Sequence, residues 1–263
     1  MDVKKAFINS IACFSLIWCS ASVAAFEEQG SLNVEPSDSS STVRMVAGLT
    51  KPPFVIETGA AGIQLDMIKA IFATQNMSVE FVHAPFGRNV VTFQRFDIDG
   101  LITVPNNYQH PRMLLSEPYI RYQNVAVSLK NNDFNINSVT DLSGKSVIAF
   151  QRAQKYLGEA FEKTVRNSIN YREMAEQEKQ VSSLFLRKAE VIILDENIFR
   201  YLVASNDEYS EAFDIHYIFK EIYYSAGFKK EQNQQAFESG LAEIKANGTY
   251  QKILDKYLNK PAA

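Results

Sequence analysis

Three histidines and one adjacent pair of carboxylates are the side chains of this sequence best suited to acid–base or metal chemistry. His83, His110 and His216 lie far apart, without the i, i+4 pairing or the cysteine partners of a zinc site. Asp195 and Glu196 are neighbours at the start of a helix-like stretch, where adjacent side chains tend to point in different directions. We therefore interpret the histidines as surface or half-buried residues, and the acidic pair does not by itself predict catalysis.

Nucleotide-binding and nucleophile motifs are missing from the sequence. It contains no G-x-G-x-x-G, no G-x-x-x-x-G-K and no G-x-S-x-G. Both cysteines, Cys13 and Cys19, fall in the first 25 residues, so the rest of the chain has no thiol nucleophile and needs no disulfide. These observations favour binding over catalysis, and we expect no cofactor and no metal site.

The composition describes an ordinary globular protein. The chain has 263 residues, enough for one large domain or two lobes of about 100–150 residues each. The formal net charge is −3, and no dense run of lysine and arginine is present. Nucleic acid is therefore not an expected partner.

The first 25 residues have the organisation of a secretory signal peptide. Lys4 and Lys5 precede the apolar run AFINSIACFSLIWC, and the small residues SASVAA follow it. The alternatives are an uncleaved membrane anchor or a lipoprotein acylated at Cys19, although Trp18 beside that cysteine argues against the second. Residues 26–42, rich in Ser and Glu, predict a flexible leader. Export to a bacterial periplasm is the localisation that we expect.

Strand-like and helix-like segments then alternate along the chain. The apolar stretches VRMVAGL, SVEFVHAPF and IDGLITV predict strands, and GIQLDMIKAIFATQN and NVVTFQRF predict the helices between them. The pattern restarts with the strands NVAVSLK, SVIAF and EVIILD and the helices KYLGEAFEKTV and KQVSSLFLRK, before YYSAGFKK and two closing helices. The alternation predicts an α/β protein with mostly parallel sheets and two lobes.

An ordered set of landmarks gives the chain a family resemblance. These are KPPF with GIQLDMIKAI, APFGRNVVTFQRFDIDGLIT, SEPYIRYQNVAVSLK, DLSGKSVIAF, AEVIILDENIFRYLV and AGFKKEQNQQAFESGLAEIKANGTYQKILDKYL. In this order, between about residues 43 and 258, they resemble the bacterial extracellular solute-binding proteins of family 3, typified by periplasmic amino-acid binders. The landmarks are weak singly and specific together.

The resemblance implies a two-lobed α/β clamshell, like a type II periplasmic binding protein, with a ligand cleft between the lobes. Lobe 1 would comprise residues 43–121 and 223–258, lobe 2 residues 122–222, and residues 259–263 a C-terminal tail. The resemblance further implies a small-molecule ligand, a monomeric protein, and an inner-membrane permease or a sensor receptor as partner.

Three ligand positions carry over from the family. Phe86 falls where relatives place an aromatic that stacks on the ligand, and its alternative is core packing. Asp195 falls where they hold the carboxylate that receives a ligand ammonium, and its alternative is a cap on the helix ENIFRYLV. Thr103 falls where backbone and hydroxyl groups meet the ligand carboxylate, and its alternative is a plain turn residue.

Other positions depart from the family pattern. Gly48 and Lys51 replace an acidic and an aromatic residue of the first loop, so Lys51 is either a cation at the cleft or a solvated loop charge. Arg88 either points into the cleft or caps the helix NVVTF by its charge, although a cation is unfavourable near a helix N-terminus. After SVIAF the usual glycine-bearing turn is missing: Phe150 narrows the cleft or closes the core, and Arg152 replaces backbone amides as an anion donor.

The stretch NNYQHPRMLLSEPYI departs as well. The family's carboxylate-clamping arginine stands seven residues before the serine of its FS-x-PY motif, and Gln109 occupies that position here. Arg112 lies only four residues before Ser116. It is either a displaced clamp that reaches the ligand or a surface charge, and the standard α-amino-acid site is in doubt.

The sequence therefore predicts a non-enzymatic periplasmic protein that captures a small polar, anionic or amino-acid-like ligand and presents it to an ABC-type permease. The cations Lys51, Arg88, Arg112 and Arg152 favour an anionic or strongly polar ligand. Three alternatives stay open: a ligand-sensing module for a receptor or histidine kinase, a lyase- or dehydratase-type enzyme on the same scaffold, and an interaction protein with an impaired cleft.

Overall fold

The computed structural model describes residues 41–166, 168 and 170–258, and it does not describe the side chain of Phe86. The predicted signal peptide, all but the last two residues of the predicted leader, and the predicted tail at 259–263 lie outside these residues. No helix in the described part of the chain is both long and apolar enough to cross a membrane.

The described residues form two sheets and the helices that cover them. The strands are β1 Thr42–Ala47, β2 Ser78–His83, β3 Gly100–Pro105, β4 Leu114–Leu115, β5 Ile120–Tyr122, β6 Asn124–Leu129, β7 Val147–Phe150, β8 Arg172–Met174, β9 Val191–Asp195, β10 Phe213–His216 and β11 Ile222–Phe228. The helices are α1 Ile63–Ala73, α2 Asn89–Phe93, α3 Ala153–Tyr156, α4 Glu159–Arg166, α5 Gln177–Phe185, α6 Glu196–Ala204, α7 Glu231–Ala246 and α8 Thr249–Leu258. Short 3₁₀ turns at Phe86–Arg88, Lys130–Asn132 and Val139–Leu142 complete the elements.

The first lobe is built on a sheet with the order β2-β1-β3-β11-β4, and β5 also pairs with β11. Strand β1 is parallel to β2 and β3, whereas β11 runs antiparallel to β3, β4 and β5. Helices α1, α7 and α8 pack on one another, and α1 places the buried Leu65, Ile68 and Phe72 on one face. The apolar spacing in the sequence therefore positions α1 as predicted.

The second lobe is built on a sheet with the order β10-β6-β9-β7-β8. Strand β7 is parallel to β8 and β9, and β6 is antiparallel to β9 and β10. Strands β6, β7 and β9 are almost wholly buried, which explains why they read in the sequence as continuous apolar runs.

Two segments carry the chain between the lobes. The first joins β5 to β6 through the single residue Gln123, and the second joins β10 to β11 between His216 and Ile222. One apolar cluster includes residues of both lobes, among them Tyr122 and Tyr224 from the first sheet and Val125 and Leu194 from the second. The strands that flank the crossing segments therefore contribute to one continuous core, whereas Tyr217 of the second segment is exposed.

The sheets differ from the sequence prediction in two respects. They are mixed and not mostly parallel, because β11 returns to the first lobe and β6 enters the second against the direction of their neighbours. The predicted helix KYLGEAFEKTV is split into α3 and α4 at Gly158, whose φ of 89° belongs to the left-handed region. The short strands β4, β5, β8 and β10 give too brief a pattern for periodicity to separate them from loops.

Replacing Gly240 with alanine should lower the free energy of unfolding by about 1–3 kcal/mol. A Cβ atom there would overlap the carbonyl oxygen of Ile71, so α7 could not approach α1 as closely. Urea titration of the variant against the parent protein measures the change. Ser239→Ala, on the exposed side of the same helix, is the matched control and should be neutral or slightly stabilising. Stability equal to the parent in both variants would contradict the close contact.

Candidate functional site

A cavity of about 540 Å³ lies between the two lobes. The loop after β1 and Thr103 of β3 line it from the first lobe, and Phe150 and Asp195, the last residues of β7 and β9, line it from the second. The carboxyl end of a parallel strand is where α/β proteins place ligand-binding groups. The volume is within the usual range of ~300–1,000 Å³ for small-molecule sites.

The crossing segments separate this cavity from a second one of about 650 Å³. Successive side chains of a strand face opposite sides. Accordingly, Tyr122 and Tyr224 line the interlobe cavity, whereas their neighbours Gln123 and Tyr223 line the second. Charged groups of the second cavity pair within it, because Arg121 forms an ion pair with Glu221. The interlobe cavity is therefore the stronger candidate for a ligand site.

Lys51 provides the cation of the first-lobe wall. A tight turn holds it, in which the Lys51 amide donates to Val55 O (2.7 Å) and the Phe54 and Val55 amides donate to Lys51 O. The side chain is half-buried, and its Nζ lies 4.7 Å from the centre of the Tyr122 ring. A cation over an aromatic face gains about 0.5–2 kcal/mol. The ammonium is thus held at the cavity, as one of the two sequence readings proposed.

Asp195 provides the buried carboxylate of the second-lobe wall. The residue is 2% exposed. Oδ1 accepts from the amides of Asn197 (2.9 Å) and Ile198 (3.2 Å), and Oδ2 accepts from the amide of Gln123 (2.9 Å). Asp195 therefore caps α6, as the alternative interpretation proposed, while also lining the cavity. The same carboxylate also accepts a hydrogen bond from Gln123, the residue that joins β5 to β6.

Burial dominates the electrostatics of this pair. Loss of solvent raises the pKa of Asp195 to about 7, although the three amides and the charge of Lys51 act in the opposite direction. Burial lowers the pKa of Lys51 to about 8, and the charge of Asp195 offsets part of this effect. The two groups attract each other across the cavity without a direct ion pair, and each loses more by desolvation than it gains.

A buried hydrogen-bond network lies beneath the first-lobe wall. Gln64 of α1, fully buried, donates from Nε2 to Thr103 Oγ1 and to the Tyr119 hydroxyl, both at 3.0 Å. The Tyr122 hydroxyl donates to Gln64 Oε1 (2.8 Å), and the Tyr119 hydroxyl donates to Ile102 O (2.7 Å). These bonds fix the orientation of Thr103 and Tyr122 at the cavity.

The turn after β7 differs from a simple anion-binding helix terminus. Arg152 has a left-handed backbone (φ 65°, ψ 24°) just before α3. Its amide and the amide of Gln154 both donate to the Glu173 carboxylate, at 2.6 and 3.1 Å. An internal acid from β8 therefore occupies the amides that a ligand carboxylate could use.

The Arg152 side chain reaches the other lobe. A Cβ atom built on Gly87 would lie 2.9 Å from Arg152 Nη2, so the guanidinium rests against the first-lobe backbone. It also hydrogen-bonds the Tyr156 side chain, which lines the cavity. Arg152 is therefore a contact between the lobes at the edge of the cavity.

The structure brings four of the eight predicted residues together at the interlobe cavity: Lys51, Thr103, Phe150 and Asp195. Thr103 lies within β3 and is therefore not a turn residue. Arg152 lies at the edge. Arg88 and Arg112 are exposed and are not among the residues that line the cavity. The side chain of Phe86 lies outside the described part of the chain.

Sequence reasoning missed several residues of the cavity: Tyr122, Asn124, Tyr156, Glu176, Glu178 and Tyr224. Two of them, Tyr122 and Tyr224, could have been predicted from the sequence. Side chains alternate along a strand, so every second residue of IRYQN and IYYSAG lies on the same side. Buried Gln64 leaves no such signal, since glutamine on a helix normally predicts a solvated face.

Comparison with models of protein families assigns the chain to one of them. The model of the bacterial extracellular solute-binding proteins, family 3, matches residues 43–260. The chain belongs to this family. The family is described as extracellular. The matched residues include the whole region, between about residues 43 and 258, in which the sequence landmarks lie. No match is found among curated proteins.

Solved structures show the same fold. An ancestral arginine-binding protein bound to glutamine matches with a TM-score of 0.67 and 23% identity, over 83% of this chain and 98% of that one. A substrate-binding protein of an ABC uptake transporter from Streptococcus pneumoniae with bound histidine matches with a TM-score of 0.66 and 15% identity, over 84% and 94%. A histidine kinase sensor domain with similarity to periplasmic binding proteins matches with a TM-score of 0.67 and 16% identity, over 84% and 97%.

These comparisons confirm the predicted fold class. This solute-binding protein is a two-lobed α/β protein of the periplasmic-binding type, with a cleft between its lobes. The predicted lobe boundaries stay a prediction, and so do the contributions of individual residues to ligand binding.

The buried carboxylate gives a pH dependence of stability. An aspartate has a pKa of 3.8 when unperturbed and Asp195 about 7 in the fold, so between these values the folded state keeps a proton that the unfolded state has lost. Its contribution to stability is complete below pH 4 and is lost as the pH rises to 7, by at most ~1.4 kcal/mol per pKa unit. Relative to Asp195→Asn, the parent protein should become progressively less stable across this window.

Chemical denaturation at several pH values, taken as the difference between parent and variant, measures this effect and cancels the other titrating groups. Asp207→Asn, at an exposed carboxylate, is the matched control and should show a flat difference. A flat difference for Asp195→Asn as well would mean that its folded and unfolded pKa values are the same.

Proposed function

We propose that the protein captures a small polar ligand, anionic or amino-acid-like, in the interlobe cavity and presents it to an inner-membrane permease. The observation that carries this proposal is the cavity itself, where Lys51, Thr103, Phe150 and Asp195 converge between two lobes of a solute-binding fold. The lobes contact the same space from opposite sides, so a ligand there stabilises the arrangement in which they approach each other.

The exported, monomeric state belongs to the same proposal. The family is extracellular by description, and the N-terminal residues have the pattern of a cleaved signal peptide. We expect the signal to be removed after Ala25 and the mature protein to reside in the periplasm. Intact mass of the exported protein tests the cleavage, and its elution volume tests the monomer.

A sensing role is the alternative. Solved structures of both a transporter's binding protein and a histidine kinase sensor domain share this fold. Genes for a permease or for a kinase beside the coding sequence discriminate the two, as does ligand-dependent binding of the purified protein to either membrane partner.

We further propose that the ligand is bound without chemical change. Asp195 faces the interlobe cavity, whereas Glu196 lines the second cavity, where it accepts from Arg200 Nε and the Tyr217 hydroxyl, both at 2.8 Å. The two acids therefore do not converge on one reacting atom. Mass analysis of ligand recovered after long incubation should show the starting compound, and a stoichiometric or catalytic product would revive the dehydratase or lyase alternative.

Phe150→Ala should weaken the proposed binding about tenfold, because a half-buried ring at the cavity wall is lost, and one tenfold step is about 1.4 kcal/mol. The ligand is first selected from amino acids and organic acids as a compound that raises the thermal midpoint, and calorimetry then gives its affinity. The fully exposed Phe96 provides the matched control Phe96→Ala, which should bind as the parent does.

Arg112→Ala should also bind as the parent does, since Arg112 is exposed and does not line the cavity. A large loss of affinity in this variant would instead support the displaced-clamp hypothesis. No stabilising compound in the whole panel would count against ligand capture and favour an interaction protein with an impaired cleft.

A further inference from the structure

The buried carboxylate that could receive the ammonium of an α-amino acid is already engaged at the interlobe cavity. Such a ligand requires an acceptor for its ammonium and donors for its carboxylate. The buried acceptor is Asp195, whose oxygens accept from three backbone amides and so use three of about four acceptor positions. The Lys51 ammonium already attracts the same carboxylate. A second ammonium there would meet a like charge and a nearly saturated acceptor.

Two backbone donors of the turn after β7, at the edge of the cavity, are engaged as well. The amides of Arg152 and Gln154 at the start of α3 donate to the Glu173 carboxylate. A ligand carboxylate at this turn would have to displace an internal one. Lys51 supplies the cation at the cavity wall. It has no direct carboxylate partner among the ion pairs of the described residues.

The remaining acids do not replace Asp195 as an acceptor for a ligand ammonium. Glu176 and Glu178 line the cavity but are both exposed, and Glu176 forms an ion pair with Lys179 at 2.8 Å. Ion pairs between exposed groups contribute about 0–1 kcal/mol. A ligand ammonium at this edge would gain little compared with its loss of hydration.

Much of the remaining wall is apolar and aromatic, beside polar side chains such as Thr103 and Asn124. Phe150 and Tyr156 are half-buried at the cavity, and Ile198 and Leu202 of α6 line the same second-lobe side. Tyr224 of β11 is buried on the first-lobe side. A wall of this kind buries a hydrocarbon body, flat or branched, and leaves the charge recognition to one end of the ligand.

We infer that the ligand is an organic carboxylate that lacks an ammonium group, bound with its carboxylate at Lys51 and its apolar body against Phe150 and Tyr156. This inference rests on the proposed function and names the ligand class for the same cavity. Lys51 is then the residue that determines specificity, because it supplies the cation that favours a carboxylate and repels an amine.

Matched compounds test the inference by calorimetry on the purified protein. The probes are L-phenylalanine, L-phenyllactate and 3-phenylpropanoate, and L-glutamate, L-2-hydroxyglutarate and glutarate. In at least one set the two compounds without nitrogen should bind ten or more times as tightly as the amino acid. Equal or tighter binding of the amino acid would overturn the inference and leave ligand capture intact. No binding by any of the six, with no effect on the thermal midpoint, would overturn the inference and also count against the proposed function.

Variants of Lys51 test its assignment. Lys51→Met should reduce the affinity for the tightest carboxylate at least tenfold, Lys51→Arg should restore part of the loss, and the exposed Lys252→Met should leave affinity unchanged. Circular dichroism and the thermal midpoint show whether each variant is folded. Full affinity in a folded Lys51→Met would overturn the role of Lys51.

Proton uptake on binding gives an independent readout. The Lys51 pKa of about 8 should rise when a carboxylate approaches, so binding near pH 8 should take up a fraction of a proton, visible as a dependence of the calorimetric enthalpy on the buffer. The other titratable groups that line the cavity are Tyr122, Tyr156, Glu176, Glu178, Asp195 and Tyr224. The uptake should be clearly smaller in Lys51→Met, where Asp195 remains as the nearest titrating group. An uptake of undiminished size in that variant would assign it to the other groups and overturn the inference.

Discussion

The buried carboxylate of Asp195 is the interaction on which the arrangement of the lobes depends. One oxygen accepts from the first turn of α6 and the other from Gln123, the single residue between β5 and β6. The direction of α6 and the path of the crossing segment are thus fixed by one group. Three amide donors compensate part of the cost of burying a charge, and its raised pKa shows that the compensation is incomplete. The carboxylate that holds α6 and the crossing segment is therefore also a group whose charged form is disfavoured by burial, and it lies at the cavity wall.

The cost of burial involves oppositely charged groups on the two facing walls of the cavity. Lys51 belongs to the first lobe and Asp195 to the second, and burial lowers the pKa of the one and raises that of the other. Burial disfavours the charged form of each group. Their mutual attraction offsets only part of this cost. A ligand that supplies a charge to the cavity changes the balance only through its preference for the closed form.

The sequence predicted the fold further than the site. Apolar runs such as VIILD and the helical spacing of Leu65, Ile68 and Phe72 specify buried elements directly, because burial is a local property of each segment. The site depends on pairings between distant segments. Nothing near Arg152 in the sequence indicates that Glu173 occupies its amide, and nothing near Thr103 indicates a hydrogen bond from Gln64. Asp195 illustrates both cases. Its role as a helix cap can be predicted from the adjacent residues, whereas its hydrogen bond with Gln123 joins distant parts of the sequence.

The positions of the arginine side chains are the hardest to predict from the sequence, because they depend on how distant segments place the loops. A guanidinium at a loop can turn toward a cleft or toward solvent, and its long side chain keeps either choice open until the loop is placed. The structure leaves Arg88 and Arg112 exposed and turns Arg152 onto the backbone at Gly87. Lys51, by contrast, is held by a turn of a few residues and by the Tyr122 ring. Lys51 is therefore held in place before a ligand arrives. Specific recognition of a charged ligand requires a charge that is positioned in advance in this way.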